Sequence, residues 1–174
     1  MTVVIYDTSA IIRGILNFKN IGCAYTTYSV LRELKKRNAN YTKVVALIEA
    51  NILEVLSPSK KVIEMVKEKA AQLGELGKIS STDLEIIALA MSFRNKEEDI
   101  LVVTNDFAIQ NILSHLNIKY KSIGQREIRE PREYVYECKN CHSRYETKYS
   151  FCPKCGGRII TKIIRKDLGF NKTP

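Results

Sequence analysis

The sequence predicts an α/β protein in which a mostly parallel sheet carries helices on both faces, followed by a small β module at the C-terminus. Over roughly the first 120 residues, short β-branched runs alternate with helical stretches, and such alternation is typical of a parallel sheet covered by helices. Beyond this region the composition changes, and four cysteines follow one another closely. We therefore expect two structural units of unequal size.

The predicted strands are short apolar runs, each bounded by polar or turn-forming residues. Leu53–Leu56 is stopped by Ser57 and Pro58, whereas Ile100–Val103 is apolar throughout, as expected of a strand buried on both faces. In chain order we predict strands at Val3–Tyr6, Cys23–Thr26, Leu53–Leu56, Ile100–Val103 and Lys119–Ile123.

Apolar residues at three- and four-residue spacing predict the helices between these strands. Thr82 and Glu85 have the spacing of a capping box, which predicts the start of a helix ahead of the apolar run Ile86–Ala90. The other predicted helices run from Asp7 through Ile11, Ile12, Ile15 and Leu16, through Val30–Leu34, through Val44–Ile48, and over Ser59–Leu73 and Phe107–Leu116.

Charge is distributed unevenly along the 174 residues. Residues 1–118 carry 14 Lys or Arg and 13 Asp or Glu, a net charge of +1, whereas residues 119–174 carry 14 and 6, a net of +8. The change in composition predicts a domain over 1–122, a linker over 123–133 that contains Pro131, a β module over 134–166 and a flexible tail over 167–174.

The cysteines Cys138, Cys141, Cys152 and Cys155 form the pattern C-x2-C-x10-C-x2-C. Two close pairs at this separation are typical of a structural zinc site, so we expect one Zn2+ in a ribbon. The alternative is two disulfides in a secreted module. The chain opens without the segments of a secretion signal, and no apolar run reaches the ~18 residues that cross a bilayer. We therefore expect a cytoplasmic protein, not bound to membranes, whose thiols stay reduced.

Acidic residues are predicted where the active sites of α/β proteins lie, at the carboxyl ends of parallel strands. Asp7 and Asp106 follow predicted strands, Asp83 lies in the first turn of a helix, and Glu33 lies on the helix after the second strand. Grouped carboxylates favour a cation, and hard oxygen ligands favour Mg2+ or Mn2+. Each residue taken singly has another explanation: the three aspartates could cap turns or helices, and Glu33 could pair with Arg37 in solvent.

Four segments resemble the motifs of PIN-domain nucleases: DTSAII, SVLREL, SSTDLEIIALA and VVTNDFAIQN. The resemblance covers residues 1–122 and implies a PIN-type, Rossmann-like sheet. It also implies that Asp7, Glu33, Asp83 and Asp106 bind one or two divalent cations, with Thr8, Ser9, Thr104 and Asn105 in support. Asn105 stands where a second Asp is common in the family, which implies a weaker second metal site.

With the ribbon YECKNCHSRY…FCPKCGGRI added, the chain resembles the archaeal Nin-one-binding endoribonucleases, a PIN family that matures the 3′ end of small-subunit rRNA. The resemblance implies cleavage of single-stranded RNA, leaving a 5′-phosphate and a 3′-hydroxyl. It also implies a pre-small-subunit partner, with a KH-domain assembly protein as a further candidate. Two alternatives stay open: a PIN toxin of the VapC type, which usually lacks a ribbon, and a non-catalytic RNA-binding assembly factor.

Cations interleaved with aromatic residues in the last third are suited to phosphate contacts and base stacking. A merely solubilising surface is the alternative. We predict that RNA contacts Arg144, Tyr145, Lys148, Tyr149, Lys154 and Arg158. We expect no nucleotide cofactor, because Gly74–Lys78 lacks P-loop spacing and no G-x-G-x-x-G follows a strand. Cys23 is expected to be a small buried residue, and His142 a surface residue.

Overall fold

The computed structural model describes residues 2–13, 23–94, 99–124, 126–128 and 130–164. The strands are β1 (Thr2–Tyr6), β2 (Cys23–Thr27), β3 (Leu53–Leu56), β4 (Asp99–Val103), β5 (Lys119–Lys121), β6 (Glu133–Cys138), β7 (Arg144–Tyr145) and β8 (Ile159–Ile164). The helices are α1 (Thr8–Ile12), α2 (Tyr28–Arg37), α3 (Tyr41–Glu49), α4 (Lys60–Gln72), α5 (Ser81–Arg94) and α6 (Phe107–His115).

The first five strands form one parallel sheet in the order β3-β2-β1-β4-β5. Ile5 at the centre of β1 pairs with Tyr25 of β2 on one side and with Val102 of β4 on the other, and it is completely buried. The predicted parallel sheet flanked by helices is confirmed. The chain builds outward from β1 to β3 and then returns to β4, so the order of strands reverses beside β1. Ligands bind open α/β sheets at such a reversal.

Helix α5 begins differently from the prediction. The reciprocal capping bonds join Ser80 and Asp83: the Ser80 N–H donates to Asp83 Oδ2 at 2.8 Å, and the Asp83 N–H donates to Ser80 Oγ at 3.2 Å. The predicted pair Thr82 and Glu85 is therefore wrong as a cap. Thr82 is buried inside the first turn, and two pairs with the same spacing compete for one helix end.

Other boundaries differ by a few residues. Strand β5 ends at Lys121 rather than Ile123, and the predicted helical positions Ile15 and Leu16 lie outside the described residues. Cys23 is exposed, so its predicted burial is wrong: it is the first residue of β2, paired with Val3 at the end of the strand. The predicted tail, 167–174, also lies outside the described residues. Among the described helices, none is long and apolar enough to cross a membrane.

The C-terminal unit is a three-stranded antiparallel sheet in the order β7-β6-β8. Its own core is small, formed by Tyr136, Cys138, Cys152 and Ile159, with Cys141 and Tyr145 packed against it. So few apolar side chains supply little hydrophobic stabilisation, and a unit of this size usually needs a metal or disulfides to stay folded.

The segment between the two units follows α6 closely. Ile123 is buried in the main core, and the Ile128 N–H donates to Gln110 Oε1 at 3.0 Å. Asn111 holds both backbone groups of Arg132: Oδ1 accepts from the N–H and Nδ2 donates to the C=O, each at 2.7 Å. These bonds fix the described part of the segment against the helix.

Strand β6 also docks on the turn after α4. The Tyr134 N–H donates to the Leu73 C=O at 2.9 Å, and the Tyr136 hydroxyl donates to the Gly74 C=O at 3.2 Å. Gly74 has a φ of +68°, and a Cβ at this position would lie 2.0 Å from the Tyr134 carbonyl oxygen. Only glycine therefore permits this close approach of the two units.

Candidate active site and metal centre

Asp7 follows β1 directly and is only 3% exposed. Its Oδ1 accepts from the Thr8 N–H at 2.6 Å, and its Oδ2 accepts from the hydroxyls of Ser9 at 2.7 Å and Thr104 at 2.8 Å. Burial raises the pKa of Asp7 from its ordinary value, and the hydrogen bonds from Ser9, Thr104 and Thr8 partly offset that rise. The hydrogen bonds therefore hold the side chain in one orientation, while burial disfavours its ionised form.

Thr104 and Asp106 follow β4, the neighbour of β1. The Thr104 hydroxyl donates to Asp7 and accepts from the Asp106 N–H at 3.1 Å, so it links the two aspartates. Asp106 caps α6, because its Oδ1 accepts from the N–H groups of Ala108 at 2.7 Å and Ile109 at 3.1 Å. Its Oδ2 takes no hydrogen bond from the described part of the chain and remains available to a ligand.

Asn105 lies between these residues but is oriented differently. Its N–H donates to Ser9 Oγ at 3.0 Å, and its Oδ1 accepts from the Ile123 N–H at 2.7 Å. Its Nδ2 is buried and meets no hydrogen-bond acceptor in the described chain. The carbonyl oxygen that could bind a metal is thus occupied by the backbone, so Asn105 braces the loop.

Asp83 lies on α5 and Glu33 lies on α2. Burial raises the pKa of Asp83, opposed by its hydrogen bonds to Ser80, and the charges of Asp7 and Asp106 raise it further. Asp83 therefore lies within the electrostatic field of the other two aspartates. Glu33 is joined to the same group because its Oε2 accepts from the Thr8 hydroxyl at 2.9 Å.

The structure thus brings all four predicted carboxylates to one edge of the sheet, together with Thr8, Ser9 and Thr104. The alternative explanation for the aspartates is also correct in part, since Asp7, Asp83 and Asp106 each cap a helix. Capping alone does not explain why three caps converge. Like charges at one buried edge repel, and a divalent cation with oxygen ligands relieves that repulsion.

The carboxylates converge less tightly than the cysteines do. Within the described residues, only the cysteines form a group of three or more possible ligands whose atoms lie within 4.8 Å of one another. Wider spacing is compatible with Mg2+ or Mn2+, because Mg2+ is usually held by one or two carboxylates and keeps several waters. The residues therefore fit a hydrated cation better than a fully protein-coordinated one.

The four cysteines are free thiols arranged for a metal. The Sγ atoms of Cys138 and Cys155 are 3.5 Å apart, and those of Cys141 and Cys152 are 3.6 Å apart. A disulfide requires about 2.05 Å, whereas four thiolates around one tetrahedral zinc at ~2.3 Å are separated by about 3.8 Å. The disulfide alternative is therefore wrong for the described geometry, and the cluster is suited to a metal ion.

A glycine makes room for the sulfurs. A Cβ on Gly157 would lie 2.9 Å from the Cys138 Sγ and 3.3 Å from the Cys155 Sγ. The Asn140 N–H donates to the Cys138 Sγ at 3.4 Å, as expected of a turn whose amides face a thiolate. Two glycines follow Cys155, and the close contact with the sulfurs is made by the second of them.

The predicted RNA-contacting residues are not equally accessible. Lys148, Lys154 and Arg158 are exposed. Tyr145 is half-buried, and its hydroxyl lies 3.0 Å from the Cys152 Sγ, so it packs in the small core. Tyr149 is 43% exposed and meets the Tyr145 ring edge-on at a centroid distance of 5.1 Å.

Two residues of the ribbon were not predicted, exposed Phe151 and buried Glu137. Phe151, beside Cys152, is 70% exposed, and an aromatic residue next to a metal ligand was the available signal. Glu137 is buried, and its carboxylate contacts Lys162, His142 and Arg144. The hydrogen bond from Lys162, with smaller contributions from His142 and Arg144, lowers the pKa of Glu137 to about 2. Arg144 is therefore partly committed to an ion pair.

The chain is similar to known proteins over most of its length. A family model described as the PIN domain of ribonuclease matches residues 4–93, about half of the chain. That range contains Asp7, Glu33 and Asp83 and stops before Asp106. "Endoribonuclease Nob1" of Methanothermobacter thermautotrophicus is 32% identical over 92% of this chain and 93% of its own length. "Endoribonuclease Nob1" of Archaeoglobus fulgidus is 31% identical over 96% of this chain and 95% of its own.

A relative with a different name matches almost as far. "Ribonuclease VapC1" of Thermoplasma acidophilum is 31% identical over 89% of this chain and 75% of its own length. A match of 155 residues extends well beyond the parallel sheet. Similarity in the C-terminal part of the chain therefore does not by itself distinguish the relatives named Nob1 from the relative named VapC1.

Proposed function

The chain belongs to the family of PIN-domain ribonucleases, and from this membership we infer that it is a divalent-metal-dependent endoribonuclease. The observation that carries the proposal is the convergence of Asp7, Asp83 and Asp106 beside the reversal of strand order, with Glu33 joined through Thr8. Relatives named as endoribonucleases cover nearly the whole chain, which supports the same activity for both units together.

The four carboxylates would hold Mg2+ or Mn2+, one ion or two. When bound, such a cation supplies Lewis-acid stabilisation to a phosphodiester and to the oxygen that departs from it. The hydroxyls of Thr8, Ser9 and Thr104 fix the carboxylates by hydrogen bonds of 2.7 to 2.9 Å. We propose that the Asp83 and Asp106 oxygens outside the helix caps face the ion, and that cleavage leaves a 5′-phosphate and a 3′-hydroxyl.

We propose that the substrate is the precursor of small-subunit rRNA, cut near its 3′ end in the cytoplasm, with a KH-domain assembly protein as a candidate partner. The resemblance of both the carboxylate motifs and the ribbon supports this substrate. The ribbon would hold one Zn2+ through its four cysteines and present Lys148, Lys154 and Arg158 to phosphates. Native mass spectrometry should find one zinc per chain, and Cys152→Ser should lose it; two disulfides in place of zinc would contradict the ribbon assignment.

The test of catalysis uses the full chain with a single-stranded RNA that spans the 3′ end of small-subunit rRNA. Cleavage should require added Mn2+ or Mg2+, and Asp83→Asn should reduce it on the order of 10²-fold, by analogy with removal of one electrostatic stabiliser. Glu64→Gln, at an exposed site on α4, is the matched control. Undiminished cutting by Asp83→Asn, or without any divalent ion, would reject the carboxylates as the site of a metal-dependent reaction. No cleavage by wild type with either ion would favour the non-catalytic RNA-binding alternative.

The match to the VapC1 ribonuclease favours a second candidate, a ribonuclease with substrates other than rRNA precursors. The two candidates differ in selectivity. A maturation enzyme should cut the rRNA-derived strand at one position, whereas equal cutting of unrelated single strands would favour the second candidate.

A further inference from the structure

A cavity of about 390 Å3 opens beside the candidate active site. Its walls come from the first two turns of α6, the turn after α4, the segment that precedes β6 and the start of β6, and they include Phe107, Lys78, Arg132 and Tyr134. This volume is within the ~300–1,000 Å3 of ordinary ligand pockets. The four carboxylates are not part of the lining, so the cavity is a neighbouring site.

Phe107, in the wall of the cavity, is the neighbour in sequence of the carboxylate residue Asp106. It follows Asp106 directly, and consecutive Cα atoms are only about 3.8 Å apart. Its side chain is 54% exposed at the start of α6. A large ring left in solvent beside a carboxylate site offers a flat surface on which a nucleobase can stack.

Arg132 supplies a cation whose backbone is fixed. Asn111, which is 4% exposed, binds the N–H and the C=O of Arg132 at 2.7 Å each, and Asn111 itself donates to Glu75 Oε1 at 2.7 Å. The Arg132 side chain is exposed, and its guanidinium forms no salt bridge to a carboxylate of the described chain. It is therefore available to a phosphate at the rim of the cavity.

The charges on the lining favour a base over a second phosphate inside the cavity. Glu75, Glu127 and Glu130 also line it. Lys78 lies 3.0 Å from the buried Glu75 carboxylate and 3.2 Å from the centre of the Tyr134 ring, so this cation is already engaged. Carboxylates repel phosphate, whereas they accept hydrogen bonds from the amino and imino groups of bases.

We propose that this cavity binds one unpaired nucleotide of the RNA substrate, adjacent to the scissile phosphodiester. The base stacks on Phe107, and Arg132 contacts the phosphate of the same nucleotide. Asn111 acts as a positioning residue through the backbone of Arg132. The proposal rests on the ribonuclease function proposed above and adds the subsite that places the strand relative to the carboxylates.

The kinetic test combines protein variants with modified RNA. Phe107→Ala should lower kcat/KM by about 5- to 150-fold, the range that corresponds to the stacking of one base. Phe107→Tyr should restore most of it. Met65→Ala removes a side chain of similar exposure, 48%, from α4, and should change nothing. An abasic nucleotide at one position beside the cleavage site should cost wild type the same factor and cost Phe107→Ala nothing further.

A binding measurement separates this proposal from that of catalysis. Asp7→Asn protein should bind RNA that carries 2-aminopurine at successive positions, and one position should show fluorescence quenching that Phe107→Ala abolishes. Arg132→Ala should reduce the salt dependence of binding by about 0.7 in slope, one phosphate, while Arg132→Lys should not. Quenching by Asp7→Asn protein, together with no cleavage by wild type, would reject catalysis and keep the subsite. Cleavage and binding that are insensitive to Phe107→Ala would reject the subsite alone.

Discussion

At the scale of single residues, the defining feature is that burial and hydrogen bonding have opposite effects on the pKa of Asp7. Its two oxygens accept hydrogen bonds from three neighbours, yet burial still raises its pKa. The fold therefore fixes the orientation of the Asp7 carboxylate by hydrogen bonds but does not compensate its negative charge. The same holds for Asp83, whose pKa is raised by burial and by the charges of Asp7 and Asp106. A bound cation would relieve both.

This conflict predicts how stability depends on pH when no divalent cation is added. Because the pKa of Asp7 is higher in the folded state, its contribution is complete below the unfolded pKa and is lost as pH rises through the folded value. Asp7→Asn cannot ionise, so its Tm relative to wild type should increase as pH rises from the ordinary aspartate value of about 3.9 through the higher folded pKa. Added Mn2+ should raise the Tm of wild type more than that of the variant.

Asp99 supplies a control of opposite sign. The hydrogen bond from Lys119 lowers the pKa of Asp99, so its contribution is present above the unfolded pKa and is lost as pH falls. Asp99→Asn should therefore lose Tm relative to wild type as pH rises through the lowered folded pKa to the ordinary aspartate value of about 3.9, and its Tm difference should stay level above that pH. Parallel trends for the two variants would show that burial of Asp7 is not the cause.

At the scale of elements, the turn after α4 determines how the ribbon attaches. Gly74 and Gly77 lie in the same turn, but only Gly74 has a positive φ and a contact that a Cβ would violate. A Cβ at Gly77 would meet nothing within 4 Å. The approach of β6 to the parallel-sheet domain therefore depends on one glycine.

Gly74→Ala should consequently displace β6. We expect a loss of about 2 kcal/mol or more, since a backbone clash adds to the strain of a left-handed alanine. For a chain of this size, that corresponds to a fall in Tm of roughly 5 °C. Gly77→Ala should be nearly neutral in the same thermal melt. Equal effects of the two substitutions would contradict the docked arrangement.

The elements themselves were largely predictable from sequence, because β-branched runs and helical spacing are local signals. All five strands of the parallel sheet were predicted, and the cysteine spacing predicted the cluster. The helix start at Ser80 was missed because two residue pairs shared one spacing. The bonds between Asn111 and Arg132 join residues 21 positions apart and could not be predicted from local patterns.

At the scale of the whole molecule, the two units share contacts that a simple linker would not make. The segment 123–133 supplies backbone partners to Asn105, Gln110 and Asn111, all of them buried. Ending the chain at residue 122 would leave these polar groups without those partners, at roughly 1–3 kcal/mol each. Charge reversal or removal in the full chain is therefore a better probe of RNA binding than truncation.

Removing three exposed cations from the ribbon should weaken RNA binding in a salt-dependent way. Lys148→Gln, Lys154→Gln and Arg158→Gln together should reduce the slope of log K against log salt by about 2, since each phosphate contact contributes roughly 0.7 on single strands. The same triple change at Lys60, Lys61 and Lys67 of α4 is the matched control. Equal slopes would indicate that the ribbon contacts a protein instead.

Each of the three aspartates belongs to the carboxylate group and also caps the start of a helix. A lineage that abandoned cleavage would still be selected to keep Asp7, Asp83 and Asp106, because each holds the start of a helix. Glu33 caps nothing, and its described hydrogen bond is to the Thr8 hydroxyl. Substitution of Glu33, rather than of the aspartates, is therefore the first change expected in a descendant that has lost cleavage.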